Sequence, residues 1–198
     1  MKLVLASGSA GRRALLDHAG VPHDVVTAAV DEESARAGMR QAGLGPRDMA
    51  DGLAELKALK ASGKRPGDLV LGCDQILALD DGSTFDKAQT REALAGQLTR
   101  LSGQTHTLFS AMVIAESGRP AWRHVERVRM TMRALSSAFI EAYLEAEGDG
   151  LLACVGGYRI EGRGVQLFSR IEGSHFAIIG LPLLPLLDYL RVRGVLAS

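Results

Sequence analysis

The sequence predicts an α/β fold: a mixed, twisted sheet with flanking helices. Three observations point to it. Strand-length apolar runs alternate with helix-period segments along the chain. Two pairs of strands are joined by hairpin-type turns, which a purely parallel sheet does not contain. Finally, 198 residues with 46% apolar and 23% charged side chains can bury a sizeable core. At roughly 150 residues per domain, that length suits one domain over residues 1–198, with room for two lobes.

Leu3–Ala6 is a short continuous apolar run of buried-strand type, broken by Ser7-Gly8-Ser9-Ala10-Gly11. Residues 12–19 follow as a helix, with Leu15, Leu16 and Ala19 inward and Gly20 as its stop. Residues 24–28 read as a second strand, and 48–62 as a helix with Met49, Leu53, Leu56 and Lys60 in one stripe. Leu69–Leu79 is a long strand with Cys73-Asp74-Gln75 at its centre, and Asp81-Gly82 turns it back. Arg91–Leu101 is helical and closed by Gly103. Residues 106–115 and 122–133 form a strand pair across Glu116-Ser117-Gly118-Arg119-Pro120. In the second of these, Val128, Met130 and Met132 alternate with Arg127, Arg129, Thr131 and Arg133. Ser137–Glu147 is helical, with Phe139, Ile140, Tyr143 and Leu144 on one side. A glycine-rich stretch at 156–164, strands around 165–171 and 176–179, and a helix to about 193 complete the order.

The 23 basic and 23 acidic side chains cancel, which argues against a nucleic-acid coat or a polybasic membrane binder. Cys73 and Cys154 lie in apolar runs without CxxC spacing and read as buried, reduced thiols. The first six residues are too short an apolar stretch for a secretory signal. The most apolar segment, 176–187, holds Pro182 and Pro185 and falls short of the roughly 20 residues a bilayer needs. A soluble, cytoplasmic protein without membrane or nucleic-acid partners is expected.

Three places stand out chemically. In the first, the small residues of Ser7–Gly11 let backbone amides approach a ligand, and the following helix turns its positive end the same way. Arg12 and Arg13 occupy the first helical turn, where cations are otherwise disfavoured, so a phosphate cradle with Ser7 and Ser9 is the functional reading. A solvated flexible loop is the plain one. The second is Asp74, a carboxylate inside an apolar strand, costly unless paired, metal-bound or at a site. Gly72 leaves room for close approach, and Lys57 and Lys87 are the lysines expected near it. The third is Gly156-Gly157-Tyr158-Arg159-Ile160-Glu161-Gly162-Arg163-Gly164, read either as a bulged hairpin or as a pocket wall presenting Glu161. The five histidines lack metal-ligand spacing, and no Ser/His/Asp order or GxSxG is present. The stripe from Leu183 to Leu190 reads as core or subunit contact.

These features, in this order, resemble the Maf family of nucleoside triphosphate pyrophosphatases. The resemblance runs through Leu5-Ala6-Ser7-Gly8-Ser9-x-x-Arg12-Arg13, Val30-Asp31-Glu32, Leu53-Ala54-x-x-Lys57-Ala58, Gly72-Cys73-Asp74-Gln75 and Lys87. It continues through Leu101-Ser102-Gly103-x-x-His106, Gly157-Tyr158-x-Ile160-x-Gly162-x-Gly164 and Gly180-Leu181-Pro182-Leu183. The family usually has proline at Ala10, alanine at Gly157 and Lys-Pro at Lys87-Ala88. The resemblance implies two lobes around a central nucleotide-binding cleft, as in the inosine triphosphatase-like fold, and commonly a homodimer. It implies hydrolysis of a nucleoside triphosphate between the α and β phosphates with Mg²⁺ or Mn²⁺, in nucleotide-pool sanitation. Ser7, Ser9, Arg12 and Arg13 would hold the triphosphate, and Lys57 and Lys87 would neutralise its charge. Asp74 would be the general base, and Glu32 with Asp74 would share the metal. Gln75 and Glu161 resemble the subgroup acting on 7-methyl-GTP, where the dTTP/UTP subgroup has threonine and glutamine. The 7-methyl-GTP subgroup, however, carries tryptophan where this chain has Gly11. Two other readings are a non-enzymatic nucleotide-binding regulator of septum formation, and a nucleic-acid binder using Arg127, Arg129 and Arg133. The first would tolerate loss of Asp74 and the lysines, yet all are present. The second lacks a basic excess and clustered aromatics.

Overall fold

The computed structural model of the chain describes residues 1–197. Its strands are β1 (Leu3–Ala6), β2 (His23–Val25), β3 (Leu69–Leu79), β4 (Thr84–Phe85), β5 (Thr105–Glu116), β6 (Arg119–Met132) and β7 (Phe168–Glu172). Its helices are α1 (Ala10–His18), α2 (Glu32–Gln41), α3 (Pro46–Ser62), α4 (Arg91–Leu101), α5 (Ser137–Glu147), α6 (His175–Ile179) and α7 (Leu183–Val192). The strands form a seven-stranded sheet in the order β2-β1-β3-β5-β6-β7, with β4 paired to β3. The sheet is mixed: β1 runs parallel to β2 and β3, while β4 is antiparallel to β3 and β7 to β6. Among the described residues no helix is long and apolar enough to cross a membrane.

The chain divides into two compact units, with boundaries falling inside β3, β5 and β6. The first comprises Met1–Gln75, Ser110–Glu126 and the chain from Gly180 onward. In it β1 lies between two parallel neighbours and is buried throughout, which is why all four of its residues are apolar. Helix α3 starts at Pro46, where a missing amide costs nothing, and buries Met49, Ala50, Leu53, Ala54, Lys57, Ala58 and Ala61. The stripe expected from Met49, Leu53, Leu56 and Lys60 is therefore rotated: Leu56 and Lys60 are exposed, and the alanine row with Lys57 faces in. The cause is Gly72. A Cβ there would lie 2.1 Å from the Ala54 carbonyl oxygen and 2.6 Å from the Ala58 nitrogen. Helix and strand backbones nearly touch, so only small side chains fit between them.

Helix α2 has no counterpart in the sequence reading. Asp31 caps it through the Ser34 amide at 3.0 Å, and Glu32 and Glu33 fill its first turn. It buries no residue fully, so an apolar stripe does not announce it.

The second unit comprises Ile76–Phe109 and Arg127–Ile179. Its core gathers Leu77, Leu94, Leu98, Leu101, Leu108, Val128, Met130, Met132, Ile140 and Tyr158. The glycine-rich stretch is not a hairpin. The chain from Gly148 to Leu167 is folded into 3₁₀ turns, with Gly156 and Gly157 at φ of +76° and +69°. Residues 176–179 are not a strand either but belong to the helical turn α6. A short apolar run does not distinguish a buried strand from a buried helical turn.

His106 is fully buried here; its Nε2 lies 2.8 Å from the Tyr158 hydroxyl, which in turn donates to Met130 Sδ at 3.5 Å. A hydroxyl has one proton, so His106 donates from Nε2 and Nδ1 is the bare nitrogen, in keeping with its lack of any hydrogen-bond partner. Burial lowers the imidazole from 6.5 to about 4. Between those values the folded state binds fewer protons than the unfolded chain. This contribution to stability is therefore complete above pH 6.5 and falls toward pH 4, by about 1.4 kcal/mol per unit. His106→Gln keeps a donor without a titrating ring. Urea unfolding at successive pH values should show a shallower loss in this variant than in wild type. Parallel curves would refute the assignment.

Candidate active site

The site residues of the first unit come from four short segments. Ser9 caps α1 by accepting from the Arg12 amide at 3.3 Å, and Ser7 Oγ accepts from the Ser9 amide at 3.2 Å. The Arg12 guanidinium folds back over this loop. Its Nη1 donates to Ser7 Oγ at 3.2 Å and to the Cys73 carbonyl at 3.1 Å, and its Nε to the Gly180 carbonyl at 2.9 Å. Arg12 thus fastens the small-residue loop to β3 at the residue preceding Asp74, and to the loop before α7. Arg13 is exposed at the same helix start.

Gly72 and Asp74 lie on the same face of β3, so the strand that admits α3 also turns the carboxylate toward it. Lys57, next to Ala58 on that helix, places its Nζ 2.6 Å from Asp74 Oδ1 and 3.0 Å from Glu32 Oε1. Asp74 is 3% exposed and Lys57 8%, which makes this a buried ion pair. Arg36, one turn beyond Glu32 on α2, reaches Asp74 Oδ2 at 3.5 Å and Glu32 Oε2 at 3.9 Å. Each carboxylate therefore offers one oxygen to each cation, and the four side chains close a ring. Arg36 is the site residue that sequence reasoning missed. Its signal was the i,i+4 spacing from Glu32 behind the Asp31 cap. Gln75 donates to Ser110 Oγ on β5 at 2.8 Å.

Cys73 is buried, and its thiol is pushed up to about 11, chiefly by burial, with Arg12 and Lys57 pulling the other way. It is inert at neutral pH. Cys154 is half-buried rather than buried.

Lys87 and Glu161 belong to the second unit, where both are exposed. Burial raises the Cys154 thiol above its ordinary value; Arg159 and Lys87 lower it, and Glu161 and Glu147 raise it. Lys87, Arg159 and Glu161 thus share one electrostatic neighbourhood. Arg159 is also tied to Glu147 at 3.0 Å.

Among the described residues, no group of three or more His, Cys, Asp or Glu side chains is placed to hold a metal ion. Glu32 and Asp74 are the two carboxylates here that could hold a divalent cation. Two carboxylates are what Mg²⁺ ordinarily takes from a protein when substrate phosphates and water fill its other positions, so the set fits such an ion.

A mixed α/β sheet here bears a capped small-residue loop, Arg12 and Arg13 at one helix start and a buried Lys–Asp pair, an arrangement suited to an anionic ligand. The chain belongs to the Maf family: the family model for Maf-like protein matches residues 2–193. A relative from Hyphomonas neptunium named nucleoside triphosphate pyrophosphatase is 56% identical over 198 residues, covering 100% of this chain and 99% of its own. One of the same name from Caulobacter vibrioides is 48% identical, covering 98% and 96%. A Brucella abortus relative named 7-methyl-GTP pyrophosphatase is 48% identical over 96% of each chain.

Arg12 and Arg13 separate experimentally. Arg12→Ala should lower the melting temperature as well as raise KM for a triphosphate, because three bonds from its side chain tie loop, strand and Gly180 together. Arg13→Ala should raise KM with stability unchanged. Melting curves and KM for both variants check this. Unchanged KM in both and in the double variant would remove phosphate binding from the loop.

Proposed function

We propose that this protein is a nucleoside triphosphate pyrophosphatase, cleaving the α–β phosphoanhydride with water to give the monophosphate and pyrophosphate. The observation that carries this reading is the buried Asp74–Lys57 pair, set directly behind the loop that Arg12 fastens to Cys73. The names of the Hyphomonas and Caulobacter relatives support it.

Water attacks the α-phosphorus, Asp74 accepts its proton, and the P–O bond to the β-phosphate breaks, releasing pyrophosphate. Ser7, Ser9, Arg12 and Arg13 bind the triphosphate, and Lys57 and Lys87 supply positive charge against the developing negative charge. Lys57 also fixes the orientation of Asp74. Glu32 and Asp74 would hold a divalent cation such as Mg²⁺ or Mn²⁺, which when bound would supply charge neutralisation on the phosphates. The reaction suits removal of unwanted nucleotides from the cytoplasmic pool. A panel of nucleoside triphosphates, assayed separately for pyrophosphate and orthophosphate, tests this. Pyrophosphate is expected, and its absence with every triphosphate overturns the reading.

For the base, we propose a guanine-type ring. Guanine offers two adjacent donors, N1–H and the 2-amino group, which a carboxylate such as Glu161 can accept together. Uracil and thymine present one donor between two carbonyls, which a carboxylate repels. A good bidentate contact discriminates by about 1–3 kcal/mol. N7-methylation strengthens the donors, and the Brucella relative is named for 7-methyl-GTP. GTP-type substrates should exceed UTP and dTTP in kcat/KM, and Glu161→Gln should shift that ratio toward the pyrimidines. A wild-type preference for UTP and dTTP over both GTP and 7-methyl-GTP would refute the assignment.

A further inference from the structure

We infer that Arg36 is a phosphate ligand held in reserve: without nucleotide it sits across Asp74 and Glu32, and a bound triphosphate draws it onto a phosphate oxygen. This rests on the pyrophosphatase reading of the site and adds a residue to it.

The ring of Glu32, Lys57, Asp74 and Arg36 is balanced, with two carboxylates against two cations. A polyanion entering beside it competes for the cations and finds them unequally held. Lys57 lies 2.6 and 3.0 Å from its two carboxylates, whereas Arg36 lies 3.5 and 3.9 Å from the same two. Charge-assisted bonds weaken quickly over that difference, so of the two cations Arg36 is the one that Glu32 and Asp74 hold less tightly.

The supporting elements differ in the same sense. Lys57 stands on α3, whose alanine row rests on the β3 backbone at Gly72, so its anchor has no room to move. Arg36 stands on α2, which buries no residue fully and meets α3 through the Glu32–Lys57 pair and through Met39, whose Cε would lie 2.8 Å from a Cβ at Gly52. A flexible thioether contact tolerates a small shift of the helix. The guanidinium is also the better fit for a phosphate, offering paired donors where an ammonium offers a point charge. Once Arg36 leaves, Asp74 Oδ2 is open to the attacking water while Oδ1 stays oriented by Lys57. Substrate binding and exposure of the base become one event.

The test uses the full chain and a guanosine triphosphate analogue with a methylene group between the α and β phosphorus atoms. Calorimetric titration of Arg36→Gln should show Kd weakened about 10- to 100-fold, the worth of one charge-assisted bond, with partial recovery in Arg36→Lys. Amide hydrogen exchange over Glu32–Gln41 should change on analogue binding in wild type and Arg36→Lys, and not in Arg36→Gln. Should Arg36→Gln fail to fold, the comparison of wild type with Arg36→Lys carries the exchange measurement. If wild type releases pyrophosphate from triphosphates and the Arg36 variants bind the analogue as tightly as it does, the reserve role is overturned and the pyrophosphatase reading stands. If wild type neither binds the analogue nor releases pyrophosphate, both fall.

Discussion

Asp74→Asn is expected to lower kcat for pyrophosphate release by about 10²–10⁴, the usual worth of a general base, while the protein stays folded. The asparagine carbonyl can accept from Lys57 where Oδ1 accepts now, at 2.6 Å, so the strand–helix contact persists. The side-chain amide then faces Arg36, which retains Glu32 as a partner. The charge needed to take a proton from water is gone. Turnover by pyrophosphate release, KM from the same curves and a melting curve together make the test. A variant with near-wild-type kcat would show that Asp74 serves only as the structural partner of Lys57. Lys57→Met gives the complementary result. Removing one partner from a buried ion pair costs about 3–5 kcal/mol, so this variant should lose stability as well as turnover, whereas in Asp74→Asn the new carbonyl and Glu32 still receive Lys57 and the loss of stability is smaller.

That contrast shows what the sequence can and cannot disclose. Asp74 is legible because an acid inside an apolar strand has few innocent explanations, and Ser7 to Arg13 because two cations at a helix start run against the helix dipole. β3 is plain because its run of apolar residues is long. Lys57 is expected near Asp74, yet its own helix marks it weakly: it is one of two lysines there, and the stripe of Met49, Leu53, Leu56 and Lys60 is not centred on it. Only the contact of Ala54 and Ala58 with Gly72 rotates the helix so that the lysine is buried. Arg36 was hidden for the opposite reason. Its helix buries nothing fully, so periodicity is silent, and only the Asp31 cap and the Glu32–Arg36 spacing remain as local signals. Residues 176–179 show the limit of apolar runs, since Phe176-Ala177-Ile178-Ile179 would suit a buried strand as well as the helical turn it forms.

Gly72→Ala is expected to be strongly destabilising for the addition of a single methyl group. The new methyl would sit 2.1 Å from the Ala54 carbonyl oxygen and 2.6 Å from the Ala58 nitrogen, and both are backbone atoms that no rotamer change can clear. Overpacking of movable side chains costs about 1–3 kcal/mol. Here helix and strand must separate, so about 3 kcal/mol or more is expected, or a fall in melting temperature of roughly 6–12 °C for a chain of this size. Ala58→Gly in the same chain should not rescue it, because it removes only the Cβ contact at 3.0 Å and leaves the two backbone contacts. Separation of α3 from β3 also draws Lys57 away from Asp74, since Lys57 adjoins Ala58 and Asp74 shares the face of Gly72. Catalysis should therefore fall in the folded fraction too, measured well below the melting transition. Urea unfolding gives the first quantity and kcat at low temperature the second. Wild-type stability would show that α3 does not rest on β3 at this point. Lost stability with full turnover would show that the Lys57–Asp74 distance is set by the ring of charges and not by the seat of the helix.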